Sequence, residues 1–594
     1  MKGRTMRTTK AILQVLHQEG LDHIFLVPGG FVDPFVDELG NQEEITPIVA
    51  AHEGGAIAMA DGYARASGKF GATLCIGGPG IFNMMTYAYT AFMDQTPLFL
   101  INGEIRSEWE GRGFIQDTSI NGPVSSQKVL GNVSQMSLRL GHVHNLSFDL
   151  RRLMKKMWAP VTRGPVHLTI PLDVQQADVN NLERVEDYHN ISEEIKYPNI
   201  IDEEAFAKVP EVVAAHANVA ILCGAGVNEQ AATNELLKLA LEFELPVITT
   251  LSAKGAFPED HPLSLGVFGW AGTYPAIEAL MDPALEVLIV VGSRMNMQDT
   301  MFWHERFGRL KALIQVDVNE NNIGHHFPTH YPIVGESYLF LKKLYAALIA
   351  RRLSEGSNDG SSSMQAKTKE RKEWLQSLRM KGGGESCFHM EDTMSDAIPI
   401  HPARVVHTLR EVMPRETMLT IDNGAHSFFA AHYWKSYAPK SFFSSLRYVG
   451  AMGWAIPAGI GAQIARPTCP SVVITGDGCM LMQGMEVQTA ARYQLPVIFV
   501  VFNNQAFGNP YLRAKRAQAK SASMLQLPDH DFAGFARSLG AHGITITRPD
   551  EIRSKLKEAY ELRKTVVVDV KIGNYATPTE TFDKMLLASL RRID

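Results

Sequence analysis

The segment that most constrains this chain is a glycine turn, Gly476-Asp477-Gly478-Cys479, followed after an apolar run at 496–502 by Asn503-Asn504-Gln505-Ala506-Phe507-Gly508. The turn ends the apolar stretch Val472-Val473-Ile474-Thr475, which predicts a strand, a tight turn and a helix start. Glycines there let backbone N–H groups come close to an anion, and a helix start favours negative charge. Asp477 adds a hard oxygen ligand, so a divalent cation can sit between its carboxylate and a diphosphate. The second motif ends a buried strand at the same sheet edge, where the Asn504 amide oxygen completes the metal site. Either motif alone reads as a surface turn. Together they describe a magnesium–diphosphate anchor.

Strands and helices alternate along the chain in three blocks. The first, 1–185, opens with a helix from residue 9 to 19 and the strand Ile24-Phe25-Leu26-Val27, and closes with the apolar run 165–171. The second, 195–350, follows a polar stretch at 185–201. It contains Val219-Ala220-Ile221-Leu222-Cys223 before a glycine turn, then Leu288-Ile289-Val290-Val291 and Leu313-Ile314-Gln315-Val316-Asp317. Residues 353–366 are rich in Ser and Gly, and Gly382-Gly383-Gly384 marks another flexible point, so 351–397 reads as a linker. The third block is 398–594. The expected fold class is α/β, with three doubly wound parallel-sheet domains.

With 45% hydrophobic and 20% charged residues, 594 residues can bury several cores. A net charge of −6 argues against a nucleic-acid surface. The five cysteines have no CxxC spacing, which excludes a disulfide framework or zinc site of that kind and fits a reducing compartment. No apolar stretch has the length of a membrane span, and an amphipathic helix follows the basic start in place of a signal-peptide core. A soluble cytoplasmic protein is expected, with no membrane or nucleic-acid partner.

Far upstream, His52-Glu53-Gly54-Gly55-Ala56 leads into Asp61-Gly62-Tyr63-Ala64-Arg65, then Gly78-Pro79-Gly80-Ile81-Phe82-Asn83 and Met93-Asp94-Gln95-Thr96-Pro97. With the two glycine–asparagine motifs, this order resembles the acetolactate synthase-like family of thiamine-diphosphate enzymes, over the whole chain except about 353–397. The resemblance implies a pyrimidine-binding first domain, a central domain and a diphosphate-binding third domain. Glu53 aligns with the family's indispensable acid. Such a carboxylate, hydrogen-bonded to the cofactor's pyrimidine, favours the imino tautomer that deprotonates the thiazolium carbon. Alone, Glu53 would read as a helix-start acid favoured by the macrodipole.

By the same resemblance Pro79, Asn83, Gly478, Cys479, Phe507 and Gly508 contact the cofactor, and Asp477, Asn504 and Ala506 hold Mg²⁺. The segment Arg447-Tyr448-Val449-Gly450-Ala451-Met452-Gly453-Trp454 resembles the one that bends the cofactor. Met452 would be the apolar wedge, a role that suits its adaptable side chain, and the Gly450 carbonyl would hold the amino group. Asp422-Asn423-Gly424-Ala425-His426 matches a loop at the diphosphate, with Gly424 and His426 as contacts and Ala425 replacing a frequent glutamine. In the central block, Gly269-Trp270-Ala271-Gly272, Gly292-Ser293-Arg294 and Asp317-Val318-Asn319 match FAD-containing relatives. Met295-Asn296-Met297-Gln298 replaces their charged run, so an FAD site and an empty spacer both remain open.

The loop Pro28-Gly29-Gly30 would face the reactive carbon, and it carries no acid or base. No tandem histidine pair of the decarboxylase kind stands beside it; His325-His326 falls in the central block. An enamine without a local proton donor lives long enough to attack a second carbonyl, which favours carboligation or its reverse, on 2-oxo acids or α-hydroxy ketones. Phe114 and Gln116 stand near the family's Phe-Gln, Lys128 near its substrate channel, and Arg513 where acetolactate synthases place tryptophan. A guanidinium there offers a fixed anion-binding fork. The chain is thus expected to be a transferase or lyase, working as a homodimer or homotetramer with sites across the subunit interface. Alternatives are a 2-hydroxyacyl-CoA lyase or a cyclic 1,2-diketone hydrolase on the same scaffold. A non-catalytic regulatory relative is argued against by the retention of Glu53, Asp477 and Asn504.

Overall fold

A computed structural model of the chain describes residues 6–179, 190–195, 200–356, 363–381 and 386–579. Three six-stranded parallel sheets follow one another. The first contains β1 (His23–Leu26), β2 (Thr46–Val49), β3 (Gly71–Ile76), β4 (Leu98–Glu104), β5 (Met136–Arg139) and β6 (Val166–Pro171), in the order β2-β1-β3-β4-β6-β5. The second contains β7 (Val219–Cys223), β8 (Val247–Thr249), β9 (Ser264–Val267), β10 (Val287–Val291), β11 (Ala312–Asp317) and β12 (Tyr331–Val334), in the order β9-β8-β7-β10-β11-β12. The third contains β13 (Met418–Ile421), β14 (Phe442–Ser444), β15 (Ser471–Gly476), β16 (Val497–Asn503), β17 (His542–Ile546) and β18 (Val566–Lys571), in the order β14-β13-β15-β16-β18-β17. First and third sheets therefore share one topology. The central sheet has the doubly wound dinucleotide-fold order. Helices on both faces bury these strands, which is why strands such as β10 and β16 are apolar at nearly every position.

The helices that matter below are α1 (Glu53–Ser67), α2 (Pro79–Met93), α3 (Ser363–Lys381), α4 (Ala455–Ala465), α5 (Asp477–Gln483) and α6 (Gly508–Arg516). Helices α1 and α4 are the crossovers between the second and third strands of their own sheets, and they pack against each other. The contact is closest where Gly62 meets the Ala458 carbonyl and Gly461 meets the Met59 carbonyl; a Cβ at either glycine would overlap backbone. Trp454 Nε1 donates to Asp61 Oδ2 at 2.8 Å, and Arg65 joins Asp61, Asp94 and the Ser444 carbonyl. First and third domains thus share one apolar core, with Ile57, Met59 and Tyr63 against Trp454, Ile456 and Ile460.

The expected linker at 351–397 is corrected in part. Helix Ser337–Gly356 runs past its start, and α3 packs on the central domain through Trp374, Leu375 and Leu378. Buried Arg371 donates to the carbonyls of His216, Ala217 and Phe243 at 3.0, 2.9 and 2.5 Å, closing the ends of helices Val209–Ala215 and Gln230–Phe243. The reason is physical: the apolar positions of α3 complete a helical layer that the central core lacks without it. Residues 357–362, the triple glycine and most of the 185–201 stretch lie outside the described residues. Among the described residues, no helix is long and apolar enough to cross a membrane.

Candidate active site

Strand β15 runs straight into α5, and β16 lies beside it with Gly476 opposite Phe502, so Asp477 and Asn504 emerge at one sheet edge. Asp477 Oδ1 accepts the Gly478 N–H at 2.8 Å and Oδ2 accepts the Ala506 N–H at 3.2 Å. Asn504 Nδ2 donates to Asn574 Oδ1 at 2.7 Å, and Asn574 Nδ2 returns a bond to the Asn504 carbonyl at 3.0 Å. That exchange leaves the Asn504 amide oxygen as an acceptor at the edge of the cleft. Burial pushes the Asp477 carboxyl up to about 6, against the pull of its backbone N–H partners. A buried carboxylate beside the Asn504 amide oxygen is a hard oxygen donor set, which suits a small hard cation such as Mg²⁺.

Gly424, His426, Met452, Asp477, Gly478, Cys479, Asn504, Ala506, Phe507 and Gly508 all line one cleft here. His426 is 7% exposed, and burial lowers its ring to about 4, so the imidazole is neutral. Its Nε2 is buried with no partner among the described residues. An orphaned neutral imidazole beside glycine backbone fits an anionic group such as a diphosphate. Ala425, where a glutamine was expected, lets the chain close up: a Cβ on Gly508 would stand 2.8 Å from the Ala425 Cβ. Met452 lies over Gly478, its Cε 3.4 Å from where a Cβ would be. Gly450 does not line the cleft itself.

A second cluster forms on the N-terminal domain. Glu53 opens α1, is 8% exposed, and its Oε2 accepts from Asn83 Nδ2 of α2 at 2.8 Å. Pro79 is the first residue of α2. The loop Pro28-Gly29-Gly30 follows β1, with Gly29 against Ile76. Phe31 meets Phe114 edge-on at 6.2 Å, and Trp109 stacks on Phe114 at 4.6 Å, while Gln116 takes a left-handed backbone against Gly78. Lys128 is exposed on the short helix Ser126–Gly131. Arg513 is exposed in the last turn of α6; its neighbour Leu512 lines the cleft and Arg513 does not. Within one chain, Glu53, Pro79, Asn83 and the Pro28–Gly30 loop do not line the Asp477 cleft.

Sequence reasoning missed Asn574, Asn423, Tyr87 and Glu486. Asn574 had a signal: it follows β18, whose Lys571 pairs with Asn503, so it ends the neighbouring strand at the same edge. Glu486 comes from just beyond α5 and accepts the Ala51 and His52 N–H groups at 3.2 and 3.1 Å, beside the Thr489 hydroxyl. It holds the start of α1 from the third domain, and the missing Cβ of Gly55 makes room for it. Where the three domains meet, a further cavity of about 320 Å³ is lined by Gly226, Gly292, Arg294 and Asp317 at the ends of central strands, with Arg447 from the third domain. The Arg294 and Arg447 guanidiniums lie 5.4 and 5.1 Å from the Tyr448 ring centre.

The chain matches three family descriptions: the thiamine pyrophosphate enzyme N-terminal TPP binding domain over residues 6–122, the central domain over 206–344, and the C-terminal TPP binding domain over 422–570. It is 31% identical over 584 residues to a probable acetolactate synthase large subunit of Methanocaldococcus jannaschii, covering 96% of this chain and 92% of the relative. It is 29% identical over 573 residues to the acetolactate synthase isozyme 3 large subunit of Escherichia coli, covering 94% of each. A putative thiamine pyrophosphate-containing protein of Bacillus subtilis is 27% identical over 583 residues, covering 95% of this chain and 91% of the relative. With the three domain matches falling on the three sheets, the chain belongs to the thiamine pyrophosphate enzyme family and is an acetolactate synthase-like enzyme dependent on thiamine diphosphate.

Proposed function

We propose that this enzyme is a Mg²⁺-dependent carboligase or lyase that makes or breaks a carbon–carbon bond next to a carbonyl, on 2-oxo acid or α-hydroxy ketone substrates. The observation that carries the reading is the pairing of a cation-ready edge, Asp477 with Asn504, with the buried neutral His426 in one cleft. Thiamine diphosphate, when bound, supplies the carbanion chemistry that these side chains lack. Asp477, Asn504 and Ala506 would hold Mg²⁺, His426 and Gly424 the diphosphate, and Met452 the bend between the rings. Glu53 would hold a proton at the pyrimidine, with Asn83 orienting its carboxylate. The loop Pro28-Gly29-Gly30 with Phe31 and Phe114 would wall the substrate space with apolar surface and offer no proton donor, which supports ligation over simple protonation.

Assembly as a homodimer or homotetramer belongs to the same reading. Glu53 and Asp477 lie in separate clusters of one chain, and large apolar side chains are exposed beside each: Phe82 and Tyr89 on α2, Leu481, Met482 and Met485 on and just after α5. A second copy that covers these surfaces and brings its Glu53 to the cleft supports both facts at once. We read the central domain as a spacer without obligatory FAD, because Met295-Asn296-Met297-Gln298 stands in place of the charged run of FAD-containing relatives. Flavin absorbance in stoichiometric amount in the purified protein contradicts that part. Soluble, cytoplasmic work fits the same reading.

The test is a product screen of holoenzyme with pyruvate, other 2-oxo acids, acyl-CoA thioesters and cyclic diketones. Condensed hydroxy-keto acid from two 2-oxo acids is the expected product. Turnover of only acyl-CoA or diketone substrates would move the assignment to the corresponding lyase or hydrolase.

A further inference from the structure

The segment Gly450-Ala451-Met452 joins β14 to α4, and its three successive carbonyls each accept a side-chain donor from a different part of the fold. Asn423 Nδ2 donates to the Gly450 carbonyl at 2.5 Å, Ser445 Oγ to Ala451 at 2.9 Å, and the Tyr87 hydroxyl to Met452 at 2.8 Å. Asn423 follows β13 and lines the cleft; Ser445 follows β14 and is fully buried. Tyr87 reaches across from α2 of the N-terminal domain and is buried. Gly450 has φ 65° and Gly453 has φ 79°, so the segment turns sharply at both ends. Such turns have no regular ladder to hold their carbonyls, and here three side chains replace it.

We infer that Asn423, Ser445 and Tyr87 are positioning residues that hold this segment so that the Met452 side chain, which lines the cleft, seats the pyrimidine end of the cofactor. The inference rests on the reading that thiamine diphosphate occupies the cleft. It gives Asn423 a task distinct from the diphosphate, because its amide N–H is directed at Gly450. It also makes the N-terminal domain a structural part of the seat through Tyr87, on the same chain as Asp477.

The experiment uses full-length holoenzyme with Tyr87→Phe, which removes only the hydroxyl, and Asn423→Val, which removes the amide donor. Thiamine diphosphate affinity is titrated at saturating Mg²⁺, Mg²⁺ demand is titrated at saturating cofactor, and the circular-dichroism bands of the bound aminopyrimidine are followed against pH. Each variant should bind the cofactor about two- to tenfold more weakly, the usual effect of one lost hydrogen bond. Each should also shift the pH midpoint of those bands, with Mg²⁺ demand unchanged. An unmoved midpoint in both variants, with or without a lower Tm, overturns the inference and leaves the ties merely structural. A raised Mg²⁺ demand in Asn423→Val overturns it in favour of a diphosphate contact. Should Tyr87→Phe fail to fold, Asn423→Val decides alone. Absence of thiamine diphosphate binding in the unaltered protein refutes the underlying reading, a separate and recognisable failure.

Discussion

The N-terminal and C-terminal sheets have the same strand order, yet their equivalent strand ends carry different chemistry. The third strand ends in Gly77-Gly78-Pro79 in one domain and in Gly476-Asp477-Gly478 in the other. The fourth strand ends at Glu104 in one and at Asn503, beside Asn504, in the other. Glu104 is buried and turned toward Arg139 at 3.3 Å, while Asn504 presents its amide to the cleft. In the N-terminal domain a buried acid, Glu53, stands instead at the start of the crossover helix. The equivalent helix of the C-terminal domain, α4, carries no acid and packs on α1 through reciprocal glycine contacts. One scaffold therefore ends its equivalent strands and starts its equivalent helices with different polar groups in its two copies, and only a few residues make the difference.

The largest expected effect comes from making the C-terminal turn like the N-terminal one. Asp477→Ala should weaken Mg²⁺ and thiamine diphosphate together, by more than about 100-fold, since losing even an outer partner of a metal ligand costs roughly 10- to 100-fold. Cofactor titrations at several fixed Mg²⁺ concentrations check this. Tight cofactor binding with unchanged metal demand would break the comparison.

A smaller effect belongs to the fourth-strand ends. Burial, partly offset by Arg139, raises Glu104 from 4.5 to about 7. Folding thus favours its protonated form, so its contribution to stability is full below about pH 4.5 and is lost as pH rises to about 7. The loss is on the order of 3 kcal/mol for a shift of this size. Glu104→Gln should flatten this part of the stability profile, measured by denaturant unfolding between those pH values. Asn503, at the equivalent place, does not itself titrate, so the N-terminal strand end alone carries a carboxyl of this kind.

What was legible in the sequence was local. Apolar runs closed by glycine predicted strands such as β7, β10 and β15 to within a residue or two, because a buried parallel strand must be apolar nearly throughout. That Asp477 and Asn504 meet at one sheet edge was legible because each follows the end of one of two adjacent strands. The Ser- and Gly-rich composition around 353–366 hid α3, although Trp374, Leu375 and Leu378 already carried a helical spacing. Ties such as Tyr87 to Met452 and Asn423 to Gly450 join residues far apart in sequence, and no local pattern encodes them.

The central claim is that the acid of one domain and the cation edge of the other serve a single site across two copies of the chain. Glu53→Gln and Asp477→Ala should each be nearly inactive alone, the first by about 100- to 10,000-fold, the usual contribution of a general acid–base group. Mixed by co-expression, they form hybrids in which one site pairs an intact Glu53 with an intact Asp477. The account predicts that activity returns in the hybrid. Hybrids that assemble with cofactor and Mg²⁺ present yet stay as inactive as their parents would contradict it.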